Sequence, residues 1–503
     1  MSNKRRFYIT TAIPYVNGDP HLGHALEFVQ ADVLARYRRL RGDSVRFLSG
    51  TDDNALKNVD AAVAAGLSVA EFVAEKAQRF VDLAVPLQLS NDDFIRTSTD
   101  ARHRPGVERL WRACADTGDL YQRDYEGLYC LGCEAFVLPD DLADGRCPEH
   151  GQAPELIVER NWFFRLSRYQ EALLSVIESG RLRIEPEHRR NEVLAFIRSG
   201  LTDFSVSRAQ ERARGWGTPV PDDPEQVIYV WFDALANYIT ALGNDSEDAY
   251  REWWRESDER LHLIGKGIIR FHAIYWPAIL LSARQPLPTT IFVHDYLTVE
   301  GQKLSKSLGT AIDPLWVIES YGTDALRWWF LRDVPRNGDA DFREPLIAAR
   351  ANELADDLGN LINRTIALVS RNRPEGVRQT PDWPVEAAPL RARCTELPDA
   401  IDEALAAFDL RAATTALWEV VAEANRFVSA TQPWDIAKAA RDGDSQASER
   451  LDAVLAALID ACRVIARELL PFLPLAAERI VAALTNLDAQ QGRTLFPKFE
   501  AVA

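Results

Sequence analysis

The residues best suited by type and spacing to do chemistry lie in two short runs far apart in the chain, His21-Leu22-Gly23-His24 and Lys303-Leu304-Ser305-Lys306-Ser307. His21 and His24 can donate to phosphate oxygens, and Gly23 lets backbone approach a phosphate chain at the start of a helix, where the dipole favours anions. Lys303 and Lys306 follow Glu300-Gly301 in a glycine-bounded loop that can bring its cations onto a polyphosphate as charge develops. Alone, the first run also reads as surface histidines at a turn and the second as a solvated loop. Together, in this order, they nominate one ATP site assembled from both ends of a split nucleotide-binding fold. No G-x-x-x-x-G-K-[ST] run occurs, which disfavours a P-loop.

These runs need a scaffold. Phe7-Tyr8-Ile9-Thr10-Thr11 is β-branched and aromatic and reads as a buried parallel strand, and the apolar spacing from Ala25 to Leu40 predicts a helix beginning near His21. Ser44–Gly50, Val227–Trp231, Leu261–Gly265 and Thr290–His294 read as further strands of the same α/β pattern. The fold expected is α/β, a split doubly wound, Rossmann-like parallel-sheet catalytic domain with an insertion and a C-terminal all-α bundle. Its boundaries are expected at 1–115 for the first half, 116–225 for the insertion, 226–315 for the second half, 316–349 for a connecting region and 350–503 for the helical domain. Prolines 374, 381, 384 and 389 separate two helical blocks within the last.

A chain of 503 residues with 47% hydrophobic content is long enough for several buried cores. It has no run apolar and long enough to span a bilayer, and its basic N-terminus leads into a strand rather than a signal-peptide core, so a cytoplasmic location is expected. The net charge of −17 disfavours bulk electrostatic binding to DNA or RNA but leaves room for a local basic face. Of six cysteines, Cys114, Cys394 and Cys462 sit in apolar helical surroundings and read as core residues. Cys130, Cys133, Cys147 and His150 form a C-x2-C…C-x2-H arrangement whose tight turns suit tetrahedral Zn2+. A disulfide is the competing reading. Four protein ligands close the coordination sphere, so the zinc would be structural.

These residues resemble the class I aminoacyl-tRNA synthetases, and among them the bacterial-type methionyl-tRNA synthetase family. The similarity runs through Ala12-Ile13-Pro14-Tyr15, the HIGH-like His21–His24 turn, the zinc knuckle, Tyr229-Val230-Trp231-Phe232-Asp233-Ala234, Arg270-Phe271-His272 with Tyr275-Trp276-Pro277, and the KMSKS-like loop. It implies ATP with Mg2+ as cosubstrate, an amino acid, most readily methionine, and tRNA as acceptor. His21, His24, Lys303 and Lys306 are implied in catalysis, and Gly23, Gly265, Asp295 and Ser305 in ATP binding. Asp52 would take the substrate ammonium, and Ile13, Tyr15, Trp231, Tyr238 and His272 would line the side-chain pocket. Arg208 matches a family arginine near the active site. In the helical domain Arg371 and Trp434 would contact the anticodon. No membrane or DNA partner is expected, and a monomer is, because the chain stops short of the C-terminal RNA-binding and dimerisation domain of some relatives.

Three motifs depart from the family pattern besides Leu304, which replaces the usual Met. Asn54 and Ala55 stand where a histidine and a glycine are usual, Gly267 stands where a carboxylate is usual, and Asp295 stands where glycine is usual. Asp295 could reach the ribose hydroxyls in place of the acid lost at Gly267. Two further readings are a paralogue that passes the activated amino acid to a small nucleophile such as an N-hydroxylated amine, and a silent tRNA-binding protein.

Overall fold

A computed structural model describes residues 4–130, 135–137, 139–148, 151–243, 247–304, 310–378, 383–486 and 495–499. The chain forms two compact units, one made of Met1–Ala31, Arg38–Ala84 and Leu89–Asp295, the other of Asp32–Tyr37, Val85–Gln88 and Tyr296–Ala503.

The first unit is built on a six-stranded parallel sheet in the spatial order Asp93–Arg96, Ser44–Thr51, Arg6–Thr11, Glu259–Gly265, Thr290–His294, Arg183–Glu185. A parallel sheet covered on both faces needs near-continuous apolar strands, and Arg6–Thr11 provides one: Tyr8, Ile9, Thr10 and Thr11 are fully buried. Its two threonines are satisfied sideways, Thr10 by His262 at 2.8 Å and Thr11 by Ser49 at 2.9 Å. The Leu22–Leu40 helix follows, with Leu22, Ala25, Leu26, Val29 and Val33 fully buried at helical spacing. Each Leu or Val so buried contributes roughly 1.5–3 kcal/mol. The expected strands at Phe7–Thr11, Ser44–Gly50, Leu261–Gly265 and Thr290–His294 all lie in this sheet.

Two expectations are corrected. Val227–Trp231 is not a strand of the parallel sheet. Asp223–Ile228 pairs antiparallel with Ser207–Ala209 and Pro219–Val220, and a helix begins at Val230. An apolar run of five residues suits a buried strand and a buried helical turn equally, and here it divides between the two. Nor is the stretch 116–225 an insertion throughout, because Arg183–Glu185 lies within it and forms the edge strand beside Thr290–His294. What does stand apart is an antiparallel sheet in which Leu120–Cys130 and Glu155–Phe164 pair from Leu120↔Phe164 to Tyr129↔Glu155, flanked by Ala135–Val137 and Phe204–Ser205.

The second unit carries a three-stranded sheet of Gln302–Lys303, Leu297–Val299 and Ala340–Asp341 and a set of helices. Among these, Asn360–Asn372, Ala388–Ala406, Leu410–Thr431 and Ser445–Leu469 bury Leu361, Ile401, Leu417, Val421, Leu455 and Leu458. Arg327 is fully buried here, donating to Asp32 Oδ2 at 2.8 Å and to the carbonyls of Phe472 and Leu87 at 2.8 and 2.9 Å. Cys114, Cys394 and Cys462 are buried, and burial pushes each thiol up to about 12, as expected of inert core residues.

Candidate active site

The His21 to His24 turn sits at the mouth of the Leu22–Leu40 helix. Its rings stack at 3.8 Å with planes 21° apart. Gly23 N–H donates to His21 Nδ1 and His21 N–H donates to His24 Nδ1, each at 3.1 Å. With both Nδ1 atoms accepting, each neutral ring carries its proton on Nε2, the tautomer that donates to a phosphate oxygen. A Cβ on residue 23 would lie 2.9 Å from His21 Cε1, so glycine is required for the stacked arrangement.

The Ser44–Thr51 strand runs two residues beyond the end of its neighbour Arg6–Thr11, and the backbone just past the two ends forms the next part. Asp52 N–H donates to the Pro14 carbonyl at 2.9 Å, and Tyr15 and Asp52 form a β-bridge. Asp52 is buried. From Tyr15 a chain of aromatic contacts continues: Tyr15 to Trp231 at 6.2 Å, Trp231 to His272 at 6.2 Å, and His272 to Tyr238 at 5.7 Å between centroids. Phe271 stacks on Trp231 at 3.8 Å. Half-buried Ile13 belongs to the same loop as Tyr15. The sequence-expected residues Ile13, Tyr15, Asp52, Trp231, Tyr238 and His272 are thus brought together within one unit.

His272 is neutral in this box. Tyr238 Oη lies 2.7 Å from its Nε2, and its Nδ1 lies 3.0 Å from the Ile268 carbonyl. The carbonyl can only accept, so Nδ1 carries the proton and Nε2 accepts from tyrosine. Burial lowers the imidazole to about 4. His262 behind it is also fully buried and held well below its ordinary value, chiefly by burial. Trp276 Nε1–H donates to its Nε2 at 3.2 Å, so its Nδ1–H donates to Thr10.

Sequence reasoning missed a buried polar hub beside the box. Asp233 accepts from Thr218 Oγ1 at 2.6 Å, Asn54 Nδ2 at 2.9 Å and His103 Nε2 at 3.3 Å. Burial alone would raise its carboxyl, but His103 and the Thr218 and Asn54 donors outweigh that and hold it below the usual carboxylate range. Asn54, the departure from the family pattern, is therefore a donor to a buried carboxylate. Asp233 lay in a recognised motif, whereas His103 carried no sequence signal. Arg208 is buried rather than exposed, bonded to Ser205 Oγ at 3.0 Å and lying over Tyr229 at 4.4 Å. With Asn54, Trp216, Tyr129 and Arg212 it lines a cavity of about 40 Å³ that is open to solvent.

Among the residues expected at an ATP site, Gly265 ends the Glu259–Gly265 strand. Asp295 is buried and forms an ion pair with Arg189, and Lys266 Nζ is 3.9 Å from the same carboxylate oxygen. In the second unit, Lys303 ends a hairpin that turns at Glu300 and Gly301, both at positive φ, with Gly301 N–H donating to Asp341 at 3.1 Å. Ser305 and Lys306 lie outside the described residues, as do Cys133 and His150 of the expected zinc set. Cys130 and Cys147 are both buried. Among the described residues no three His, Cys, Asp or Glu side chains gather as a metal site. Arg371 is exposed in the last turn of Asn360–Asn372, and Trp434 is 42% exposed at the start of Pro433–Arg441 with the Arg364 guanidinium 5.7 Å over its ring.

The profile described as tRNA synthetases class I (M) matches residues 7–153 and 137–366. A methionine–tRNA ligase of Thermotoga maritima is 40% identical over 487 residues, covering 94% of this chain and 74% of its own. That of Brucella suis is 40% identical over 490 residues, covering 96% and 92%. The solved Mycobacterium tuberculosis methionyl-tRNA synthetase in complex with methionyl-adenylate superposes with a TM-score of 0.90 at 38% identity, covering 95% of this chain and 93% of that one. The chain belongs to the methionyl-tRNA synthetase family. As a methionyl-tRNA synthetase-type chain it carries the split parallel-sheet core and helical region expected, and among the described residues no helix is long and apolar enough to cross a membrane.

Proposed function

We propose that this chain activates L-methionine with ATP and transfers the methionyl group to tRNA. The observation that carries the reading is the aromatic box of Tyr15, Trp231, His272 and Tyr238 closed at one end by Asp52. His272 has its N–H committed to Ile268 and its Nε2 to Tyr238, so the box presents aromatic faces and no imidazole donor. Such walls suit a flexible, polarizable thioether and penalise side chains that would bury an unmatched polar group. Asp52 would take the ammonium as a charge-assisted partner.

A carboxylate oxygen of the amino acid attacks the α-phosphorus of ATP, the bond to the bridging oxygen breaks, and pyrophosphate leaves. No covalent enzyme intermediate is needed, so the work is positional and electrostatic. The Nε2–H groups of His21 and His24 would donate to phosphate oxygens, with Gly23 and Gly265 allowing close backbone approach. Lys303, Ser305 and Lys306 would meet the polyphosphate, and Asp295 the ribose. Mg2+ accompanies ATP and offsets its charge. Arg371 and exposed Trp434 would engage the anticodon. Cys130 and Cys147, both buried thiols, would hold a structural zinc with Cys133 and His150, which elemental analysis of the purified chain tests. The protein would act as a cytoplasmic monomer.

ATP–pyrophosphate exchange across all amino acids, followed by tRNA charging, tests the reading. Methionine-dependent exchange with charging is expected. Exchange driven by another amino acid, or exchange without charging, would overturn it.

A further inference from the structure

Both ring nitrogens of His294 face atoms that accept hydrogen bonds: Nε2 lies 2.9 Å from Glu27 Oε2, and Nδ1 lies 2.8 Å from the Asp295 carbonyl oxygen. A neutral imidazole has one N–H and would set a lone pair against one of these oxygens, so the geometry calls for the imidazolium. The side chains are only 9% and 12% exposed, which limits solvent screening of the pair.

Glu27 does more than accept from His294. Its other oxygen accepts the Ala12 N–H at 2.7 Å, while Leu263 O, the sheet's own acceptor for that group, is 3.2 Å away. The Ala12 N–H, just past the end of the Arg6–Thr11 strand, is therefore shared between the ladder and the carboxylate, with the shorter bond to the carboxylate. Two residues on, the Pro14 carbonyl takes the Asp52 N–H at 2.9 Å, and Tyr15 bridges Asp52. The four-residue loop that carries Ile13 and Tyr15 is thus clamped by Glu27 at one end and by the Asp52 backbone at the other.

We propose that Glu27 and His294 form a positioning ion pair that sets the Ala12–Tyr15 loop and thereby tunes affinity for the amino acid. The inference rests on the reading that this loop lines the amino-acid pocket. Neither residue is a catalytic residue: each acts through the loop. The charged and titratable groups around the pair are Asp295, itself engaged by Arg189 and near Lys266, and the Tyr238 hydroxyl, whose ionisation is disfavoured chiefly by burial and then by the Glu27 charge. Ala12 and Leu263 contribute only backbone. Burial would lower His294, but the bond to Glu27 and its charge outweigh burial and raise the imidazole above its ordinary value. The pair is therefore intact at lower pH and is lost as pH rises through that raised point.

The test is the methionine KM in ATP–pyrophosphate exchange as a function of pH for the full chain, Glu27→Gln and His294→Gln, with thermal melts to confirm that both variants fold. In the unmodified chain KM is expected to rise about tenfold as His294 loses its proton, the scale of one charge-assisted hydrogen bond, with kcat little changed. Glu27→Gln keeps an acceptor for Ala12 but not the charge, so the rise moves to lower pH. His294→Gln has no proton to lose, so its KM is flat over this range. A His294→Gln profile that superposes on that of the unmodified chain overturns the proposal. Nitrogen NMR of the histidine-labelled chain, with His294 identified as the resonance absent from His294→Gln, reads the ring's charge without any activity. A neutral His294 at neutral pH also overturns it. Failure of the functional reading is separately visible as exchange that does not depend on methionine.

Discussion

Replacing His272 by glutamine isolates what the buried neutral imidazole does to stability. The folded ring titrates at about 4 against an ordinary value of 6.5, with burial as the cause. Between those two points the unfolded chain binds a proton that the folded chain refuses, so folding stability falls as pH falls, by 1.36 kcal/mol per pH unit at most. The gap of two and a half pH units then corresponds to about 3 kcal/mol lost across the window, with no effect above it and none added below it. The ring is 1% exposed, so little screening reduces this. Glutamine keeps an acceptor for Tyr238 and a donor for the Ile268 carbonyl but does not titrate. His262 is present in both proteins, so the part of its acid sensitivity that comes from burial, the largest cause, cancels in the comparison. The assay is urea unfolding followed by tryptophan fluorescence from pH 7.5 to 4.5, with Trp231 lying 6.2 Å from the ring as reporter. The stability advantage of the unmodified chain over His272→Gln should shrink steadily as the medium is acidified below about 6.5. Parallel curves would refute the reasoning and place the proton on His272 in the folded state.

Asp295→Gly strips Arg189 of its buried partner and should cost about 1–3 kcal/mol in denaturant unfolding; an ATP KM unchanged by the same substitution would remove Asp295 from the ribose site. Arg327→Met leaves Asp32 without its buried guanidinium, though Arg36 Nε remains 2.9 Å from the same carboxylate oxygen. It should cost about 3–5 kcal/mol, read as a lower melting temperature of the helical unit. Trp434→Ala should raise the tRNA KM about tenfold, since stacking of a base on an exposed tryptophan contributes about 1–3 kcal/mol; aminoacylation kinetics check it, with the methionine KM in exchange as internal comparison.

Local signals were the legible ones. The β-branched Arg6–Thr11 strand, the helix after His21 and the helical periodicity beyond residue 350 all follow from hydrophobic spacing, and the structure places them where spacing puts them. The aromatic box was reachable only through the family resemblance, since Tyr15, Trp231 and His272 are each indistinguishable from core aromatics by composition. Arg183–Glu185 left no trace because three residues are too few to show a period. The Val227–Trp231 run was misread because a short apolar run does not specify whether it extends or coils. Least legible were the polar networks. His103 meets Asp233 across 130 positions and His294 meets Glu27 across 267, and such pairings are set by the packing of the whole sheet. One hint was available for Glu27: it sits three residues after His24 in a helix whose neighbouring Leu26, Phe28 and Val29 are buried, where a carboxylate needs a partner.

The middle of the parallel sheet joins the beginning of the chain to its second half, with Phe7 opposite Glu259 and Thr11 opposite Leu263. During synthesis at about 5–20 residues per second, the first strand therefore waits roughly 10–50 s for that neighbour. Ser44–Thr51 can cover one side of it early, but its other side stays an open row of backbone donors and acceptors flanked by Tyr8 and Ile9. An exposed apolar edge of this kind is a template for pairing with another nascent chain. The arrangement that brings the histidine turn and the aromatic box into one unit thus leaves one edge of the Arg6–Thr11 strand without its partner until the Glu259–Gly265 strand leaves the ribosome.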